Sequence, residues 1–408
     1  MSRIILHCDL NSFFASVESV LEPKFKDVPM AVCGSEDNRH GIVLAKNELA
    51  KKYGIQTAET VWSARKKCPK LVICQPHYEK YLEYSEKVNR IYEKYTDLIE
   101  PFGIDESWLD VTRSTRLFGS GLEIAERIRK EVRESLGLTV SVGVSFNKVF
   151  AKLGSDYKKP DAVTVISEEN FKRIVYPLAA GDLLFVGKRT ATELQKIGIH
   201  TIGELAEADE KFLSLRFGKA GEMLSKYARG EDDSPVLPKS EREDAKSVGS
   251  GYTFKRDLVG AEEARVGIDF LSFDVASRLR RKDLKCRTVV LSIKDEYLRV
   301  IQRQRTVDPP TDIAKEISRA AYEILIKEWE PGKPIRMLTV TAANLIKKDE
   351  VTEQLSFFED NNADDRIKSR KMEETVDNIR QKYGIDSIIS GSLLESDIGL
   401  SKSNKKRR

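Results

Sequence analysis

Apolar side chains run almost without interruption through Ile4, Ile5, Leu6 and Cys8 and end at an acid, Asp9, before Asn11 and Ser12 break the pattern. The run predicts a buried strand over residues 3–9 with a carboxylate at its far end. Residues 13–21 then repeat with helical spacing and stop at Pro23. Strand-like runs follow over 28–34 and 41–47, joined by a polar loop, and a helical stretch over 48–53 closes at Gly54, a C-cap residue. One more strand falls at 71–74. From His77 a long helix rich in tyrosine and charge leads to Asp97. An apolar run from Leu98 and an alternating run ending at Val111 flank Asp105 and Glu106, which is the pattern of a hairpin with an acidic tip. A helix over 121–136 and an alternating strand over 138–144 come next. Strand, helix, hairpin, helix and strand in that order give the split βαβ of a ferredoxin-like domain, with a small region inserted after the first strand.

Beyond it, helical pairs occupy residues 167–233, and 234–241 is a polar, proline-bearing linker. Residues 242–347 repeat the order strand, helix, strand, strand, helix, strand, so the fold class is α+β and multidomain. Past the last strand, 367–383 has helical character, 384–394 alternates, and 402–408 is a basic tail expected to be disordered.

Composition narrows the picture in three ways. A chain of 408 residues is too long for one core and suggests roughly two to four domains. A net charge of +4 says little about a nucleic-acid partner, so the local distribution of charge has to speak instead. Five cysteines, odd in number and without zinc-like pairing, read as reduced thiols of a cytoplasmic protein. With no charged start leading into a long apolar stretch, and no window near the roughly eighteen apolar residues of a span, neither export nor a membrane partner is expected.

The candidate chemistry lies in the acids. Side by side, Asp105 and Glu106 repel each other, and a hard divalent cation would turn that repulsion into coordination. A lone Asp-Glu pair is ordinarily a solvated turn; a second carboxylate at a strand end, Asp9, changes the odds. If the three converge, they form the oxygen cluster that holds two divalent ions around a phosphoryl group.

Residues 9–18, beginning Asp9-Leu10-Asn11-Ser12-Phe13-Phe14, resemble the first motif of the Y-family, the lesion-bypass DNA polymerases. Residues 103–112 are similar to that family's acidic catalytic motif, and residues 141–153 running on to Lys158, Lys159 and Pro160 are similar to a third block. The resemblance extends over roughly the first 350 residues. It implies a ferredoxin-like palm (1–10 and 77–166), a small fingers insertion (11–76), a helical thumb (167–233), the linker (234–241), a C-terminal split βαβ little-finger domain (242–347) and a tail (348–408). It further implies two Mg²⁺ ions held by Asp9, Asp105 and Glu106, with the backbone carbonyl of Leu10 completing one shell. Phe13 and Phe14 then belong to the nucleotide site, and Phe14 is the steric gate that excludes a 2′-hydroxyl; without the family, both rings read as core.

Many members grip the triphosphate with a Tyr and an Arg at the positions of Glu48 and Lys51, where this chain keeps only the cation of Lys51. Lysine offers a point charge rather than the fork of arginine. Lys159 is the second expected triphosphate ligand, and Lys152 is placed to neutralise primer phosphates. Ile42 and Leu44 roof the nascent base pair where small residues are usual, which predicts a tighter site for bulky adducts. Residues 184–199 are similar to a helix-hairpin-helix, with Gly187 and Lys188 directed at a DNA phosphate and Phe185 in the usual place of the first glycine. Basic concentrations around Arg281 and Lys282, and at Arg303 and Arg305 on one face of a strand, suit a duplex backbone. Gln354, Leu355, Phe357 and Phe358 resemble the peptide that docks on a sliding clamp.

The expectation is therefore a template-directed, low-fidelity translesion polymerase without proofreading, monomeric, with primer-template DNA, deoxynucleoside triphosphates and a sliding clamp as partners. The alternative is a catalytically weak, clamp-tethered DNA-binding repair factor on the same scaffold.

Overall fold

The computed structural model describes residues 3–35, 41–238, 241, 244–350, 363–384, 387–391 and 397–400. Two compact units result, one from Met1–Gly34 and Ile42–Arg242 and one from Ser35–Gly41 and Glu243–Arg408. The first begins with β1 (Ile5–Leu10), buried along its whole length, and turns at Ser12 (φ +50°) into α1 (Phe13–Leu21). The inserted region holds β2 (Met30–Cys33), β3 (Val43–Lys46), α2 (Glu48–Lys51), α3 (Val61–Lys67) and β4 (Val72–Cys74). Its strands form a small sheet in the order β3-β2-β4, with a core of its own that includes Ala31, Val43, Val61 and Leu71. Gly54 follows α2 at φ +71°, as expected.

The chain then returns through α4 (Tyr78–Tyr92), β5 (Ile99–Pro101), β6 (Glu106–Asp110), α5 (Thr115–Phe118), α6 (Gly121–Leu136), β7 (Val140–Ser145), α7 (Lys148–Tyr157) and β8 (Val163–Ile166). The limits of α6 match the sequence because both ends are written there: Ser120 and Glu123 form a capping box, and Gly137 takes the left-handed cap at φ +68°. These strands lie in the order β5-β6-β1-β7-β8, with β1 antiparallel to both neighbours, so the first four give the expected ferredoxin-like order. The fifth, β8, pairs parallel with β7 and extends the sheet beyond what alternation foresaw. Two faces result from the two-residue period of β1. Leu6, Cys8 and Leu10 enter the core with α4 and α6, while Ile5, His7 and Asp9 face α7. Gly143 lets α7 lie directly on the sheet, since a Cβ there would collide with the Ala151 carbonyl and the Ser155 amide.

Helices α8 (Phe171–Val175), α9 (Lys188–Lys196), α10 (Ile202–Glu207), α11 (Glu210–Phe217) and α12 (Lys219–Arg229) complete the unit and share a core with Phe150 and Leu153 of α7. The chain leaving them is not free at once. Val236 is buried beside Ile5, Trp108 and Ala151, and the Leu237 amide donates to Glu100 at 2.8 Å.

The second unit contains β9 (Ser247–Leu258), α13 (Ala261–Arg280), β10 (Leu284–Asp295), β11 (Val300–Thr311), α14 (Ala314–Glu328), β12 (Ile335–Lys347) and α15 (Ala363–Tyr383). Its sheet runs β11-β10-β12-β9, antiparallel throughout. Each strand-helix-strand unit is thus split by a third strand, as expected, with α13 and α14 over one face and a single core beneath them.

Helix α15 fulfils the helical reading of 367–383 and also packs onto this layer. Buried Glu373 accepts from the Ala314 amide at 3.0 Å and pairs with Arg280, which also reaches Asp377 at 2.8 Å. Arg370 pairs with Asp312 at 2.7 Å, and Ile398 and Leu400 join the core. Arg280, one of the clustered basic residues, therefore anchors the tail rather than facing solvent. Removing one partner of a buried pair strands the other charge, so Arg280→Ala is expected to cost about 3 kcal/mol, read by urea denaturation. Among the described residues 384–391 there is no strand, and the expected clamp peptide, Gln354 to Phe358, lies outside the described residues. No described helix is long and apolar enough to cross a membrane.

Candidate active site

Sheet pairing, not sequence proximity, assembles the acids. Asp9 of β1 and Glu106 of β6 are register partners, and the Leu10 amide donates to the Asp105 carbonyl at 2.9 Å, which holds the hairpin turn against the strand end. Two lysines from the α7 side meet them. Lys152 donates to Asp9 at 3.1 Å and to Glu106 at 2.6 Å, and Lys159 lies 2.9 Å from Asp9. Asp156 pairs with both lysines, at 3.4 and 2.7 Å. Two ammonium groups thus face four carboxylates, Asp105 included, and leave the site short of positive charge.

The imbalance shows in the acids themselves. Burial, then the charges of Asp9 and Glu106, push Asp105 up to about 6. Burial also opposes ionisation of Glu106, but hydrogen bonds from His7 and Lys152 outweigh it and hold that carboxyl down at about 2. All three acids offer hard oxygen donors, and Lys152 already stands as a cation bridging two of them, so the donor set fits a divalent ion such as Mg²⁺.

A pH dependence follows for the metal-free protein. A carboxyl raised on folding contributes stability below its unfolded value near 3.8, and that contribution is lost as pH rises through about 6. Asp105→Asn is therefore expected to stabilise the metal-free chain by about 2 kcal/mol at pH 8 and to have no such effect below pH ~4, by urea denaturation in chelator. Divalent ion should stabilise the native chain more than the variant.

On the nucleotide side, Phe14 stacks flat on Tyr81, centroids 4.1 Å apart and planes 11° apart. Tyr81 is fully buried, with its hydroxyl donating to buried Glu18, which His77 Nδ1 also approaches at 2.9 Å. The Phe13 ring lies in the core, only 3 % exposed. Lys51 is exposed and pairs with Glu48 at 2.6 Å, while Glu48 also accepts from Ser12 at 3.0 Å. The acid in the place of the family's aromatic thus ties α2 to the turn after β1.

Residues 8–156 match the impB/mucB/samB family, and residues 245–357 match that family's C-terminal domain. DNA polymerase IV of Acetivibrio thermocellus is 48 % identical over 98 % of this chain and 100 % of its own length. The chain belongs to this family, the Y-family DNA polymerases. DNA polymerase IV 1 of Bacillus subtilis is 35 % identical, covering 97 % of this chain and 94 % of that protein. Among solved structures, a Y-family DNA polymerase chimera superposes with a TM-score of 0.74 at 24 % identity, over 84 % of this chain and 99 % of its own, and shares the fold. Divalent-metal dependence goes with the family.

The remaining expected residues of this Y-family polymerase are dispersed. Gly187 caps α9 with Lys188 exposed behind it, and Phe185 takes φ +68°, a left-handed conformation that favours glycine. Exposed Arg281 and Lys282 follow α13 in the turn to β10. Arg303 and Arg305 share a face, as alternation requires, but it is the face that carries α14, where they pair with Glu328 and Glu323, both at 2.9 Å. The face of that sheet away from the core holds Gly249, Gly251, Thr339 and Thr341, all small side chains. Sequence reasoning missed three residues around the site: Lys46, whose pKa is lowered by burial and by neighbouring Lys51; Tyr81 behind Phe14; and His7 beside Glu106. His7 alone carried a signal, a polar residue inside an apolar run.

Proposed function

We propose that this chain is a template-directed, lesion-tolerant DNA polymerase that extends a primer 3′ end with deoxynucleotides and does not proofread. The observation that carries the reading is the convergence of Asp9, Asp105 and Glu106 at one sheet end, under-neutralised by two lysines. Those acids would hold two Mg²⁺ ions, with the Leu10 carbonyl completing one shell, and the ions would activate the primer hydroxyl and offset charge at the α-phosphate. Everything else the chain does is positioning and charge. Lys159 and Lys51, with Lys46 beside it, offer cations to the triphosphate, and Lys152 can exchange a carboxylate for a primer phosphate. Phe14, backed by Tyr81, acts as the steric gate.

In this reading the ferredoxin-like sheet is the palm, the inserted small sheet the fingers, α8 to α12 the thumb, and the second unit the little finger. Gly187 and Lys188 meet a DNA phosphate, and Arg281 and Lys282 add affinity without sequence preference. Arg303 and Arg305 would have to trade their glutamates for phosphates. The segment from Gln354 to Phe358 is the sliding-clamp peptide, and five free, buried cysteines suit a reducing cytoplasm.

Extension of a labelled primer on undamaged and abasic templates tests this reading. Short, distributive products with Mg²⁺ on both templates are expected. DNA binding without extension would favour the non-catalytic factor, which no feature of the acid cluster supports, since a retired site has no use for three mutually repelling acids, one buried and two half-buried.

A further inference from the structure

We propose that His7 is a positioning residue that fixes the Glu106 carboxylate for metal binding, with Ser155 fixing His7 in turn. The side chain lies in the middle of β1 on the face toward α7 and is completely buried. Its Nδ1 is 2.8 Å from Ser155 Oγ; its buried Nε2 makes no hydrogen bond of good geometry among the described residues and lies 3.3 Å from Glu106 Oε2, the carboxylate it faces. Trp108 closes one side of the ring, edge-on at 5.2 Å. The imidazole is thus held at Nδ1 and along one edge, and presents Nε2 to the Glu106 carboxylate.

The tautomer follows from the partners. A proton on Nε2 points at the carboxylate, and Nδ1 then accepts from the Ser155 hydroxyl. The opposite tautomer would set a lone pair against a carboxylate oxygen in a buried site, which is unfavourable. Glu106 therefore has two holders of different kinds. Lys152 supplies a full charge to Oε2 at 2.6 Å, so it competes with any cation that binds that oxygen. A neutral His7, approaching from the interior, does not compete. It keeps the carboxylate oriented whether or not Lys152 stays, as outer partners of metal ligands commonly do. Ser155 Oγ also lies 2.8 Å from the Lys152 carbonyl, and its one hydroxyl proton can turn to that oxygen or to His7 Nδ1, which links His7 to the turn of α7 that carries the competing lysine.

The proposal rests on the reading of Glu106 as a metal ligand, so the test includes that residue. Mn²⁺ affinity would be measured by electron paramagnetic resonance on the full chain bound to primer-template, for native, His7→Phe, His7→Gln, Ser155→Ala and Glu106→Gln. His7→Phe keeps an aromatic ring and loses the donor; it is expected to weaken Mn²⁺ binding about 10- to 100-fold. His7→Gln restores an amide donor and should recover most of that loss, with DNA affinity and melting temperature close to native in both. Ser155→Ala should cause a smaller loss in the same direction and decides the matter if His7→Phe does not fold. Native Mn²⁺ affinity in His7→Phe, or in Ser155→Ala where His7→Phe fails to fold, would overturn the proposal, as would equal loss in His7→Phe and His7→Gln. If Glu106→Gln leaves Mn²⁺ binding unchanged, it is the metal-site reading that fails.

Discussion

Asp105→Asn is expected to lower the single-turnover rate of primer extension by roughly 10³-fold or more, which corresponds to about 4 kcal/mol of lost transition-state stabilisation. Phosphoryl transfer leaves little covalent work for the protein, so a site built from three acids has few ways to compensate for losing one. Asn keeps the shape of Asp105 and one oxygen donor but removes the charge. The site would then hold one acid fewer against the same two lysines, and Lys152 and Lys159 would bind Asp9 and Glu106 with less competition from a divalent ion. DNA affinity should change little, because the acids repel the backbone rather than hold it. Quench-flow extension with a parallel DNA-binding assay separates the two effects. A variant that still extends at a tenth of the native rate would place the chemistry elsewhere.

The second large effect is expected at Phe14. Its ring is stacked on Tyr81, and Tyr81 is fixed by burial and by its bond to Glu18, so Phe14 cannot retreat from a sugar that presses on it. Phe14→Ala should lower the preference for deoxynucleotides over ribonucleotides by about 100-fold, at the upper end of what shape alone gives a pocket. Catalysis with the deoxynucleotide should fall much less. The measurement is kcat/KM for matched dNTP and rNTP pairs on one template. An unchanged ratio would mean that the ring is only core.

What the sequence made legible depended on how local each cause was. Asp9 and the Asp105-Glu106 pair could be read because each sits where an apolar run stops, and the limits of α6 because its cap residues are written at both ends. Lys152 was legible as a cation but not as the group lying between the acids. That position depends on how closely α7 packs on the sheet, which Gly143 controls from another element. Alternation placed Arg303 and Arg305 together correctly, and nothing local said which face α14 would cover. The docking of α15 was beyond reach for the same reason: Arg280 and Glu373 are 93 residues apart, and a run of basic residues looks the same whether one of them is buried or not. His7 was visible as an oddity, but its partners come from a different strand and a helix.

The most direct test of the central claim is the structure of the full chain with primer-template, an incoming non-hydrolysable deoxynucleoside triphosphate and Mn²⁺, with the ions located by anomalous scattering. The account predicts two ions bound by oxygens of Asp9, Asp105 and Glu106 at about 2.1–2.3 Å. It also predicts Lys152 withdrawn from Glu106, and the triphosphate against Lys159 and Lys51. Ions or triphosphate bound away from these three acids, with Lys152 still bridging Asp9 and Glu106, would contradict it.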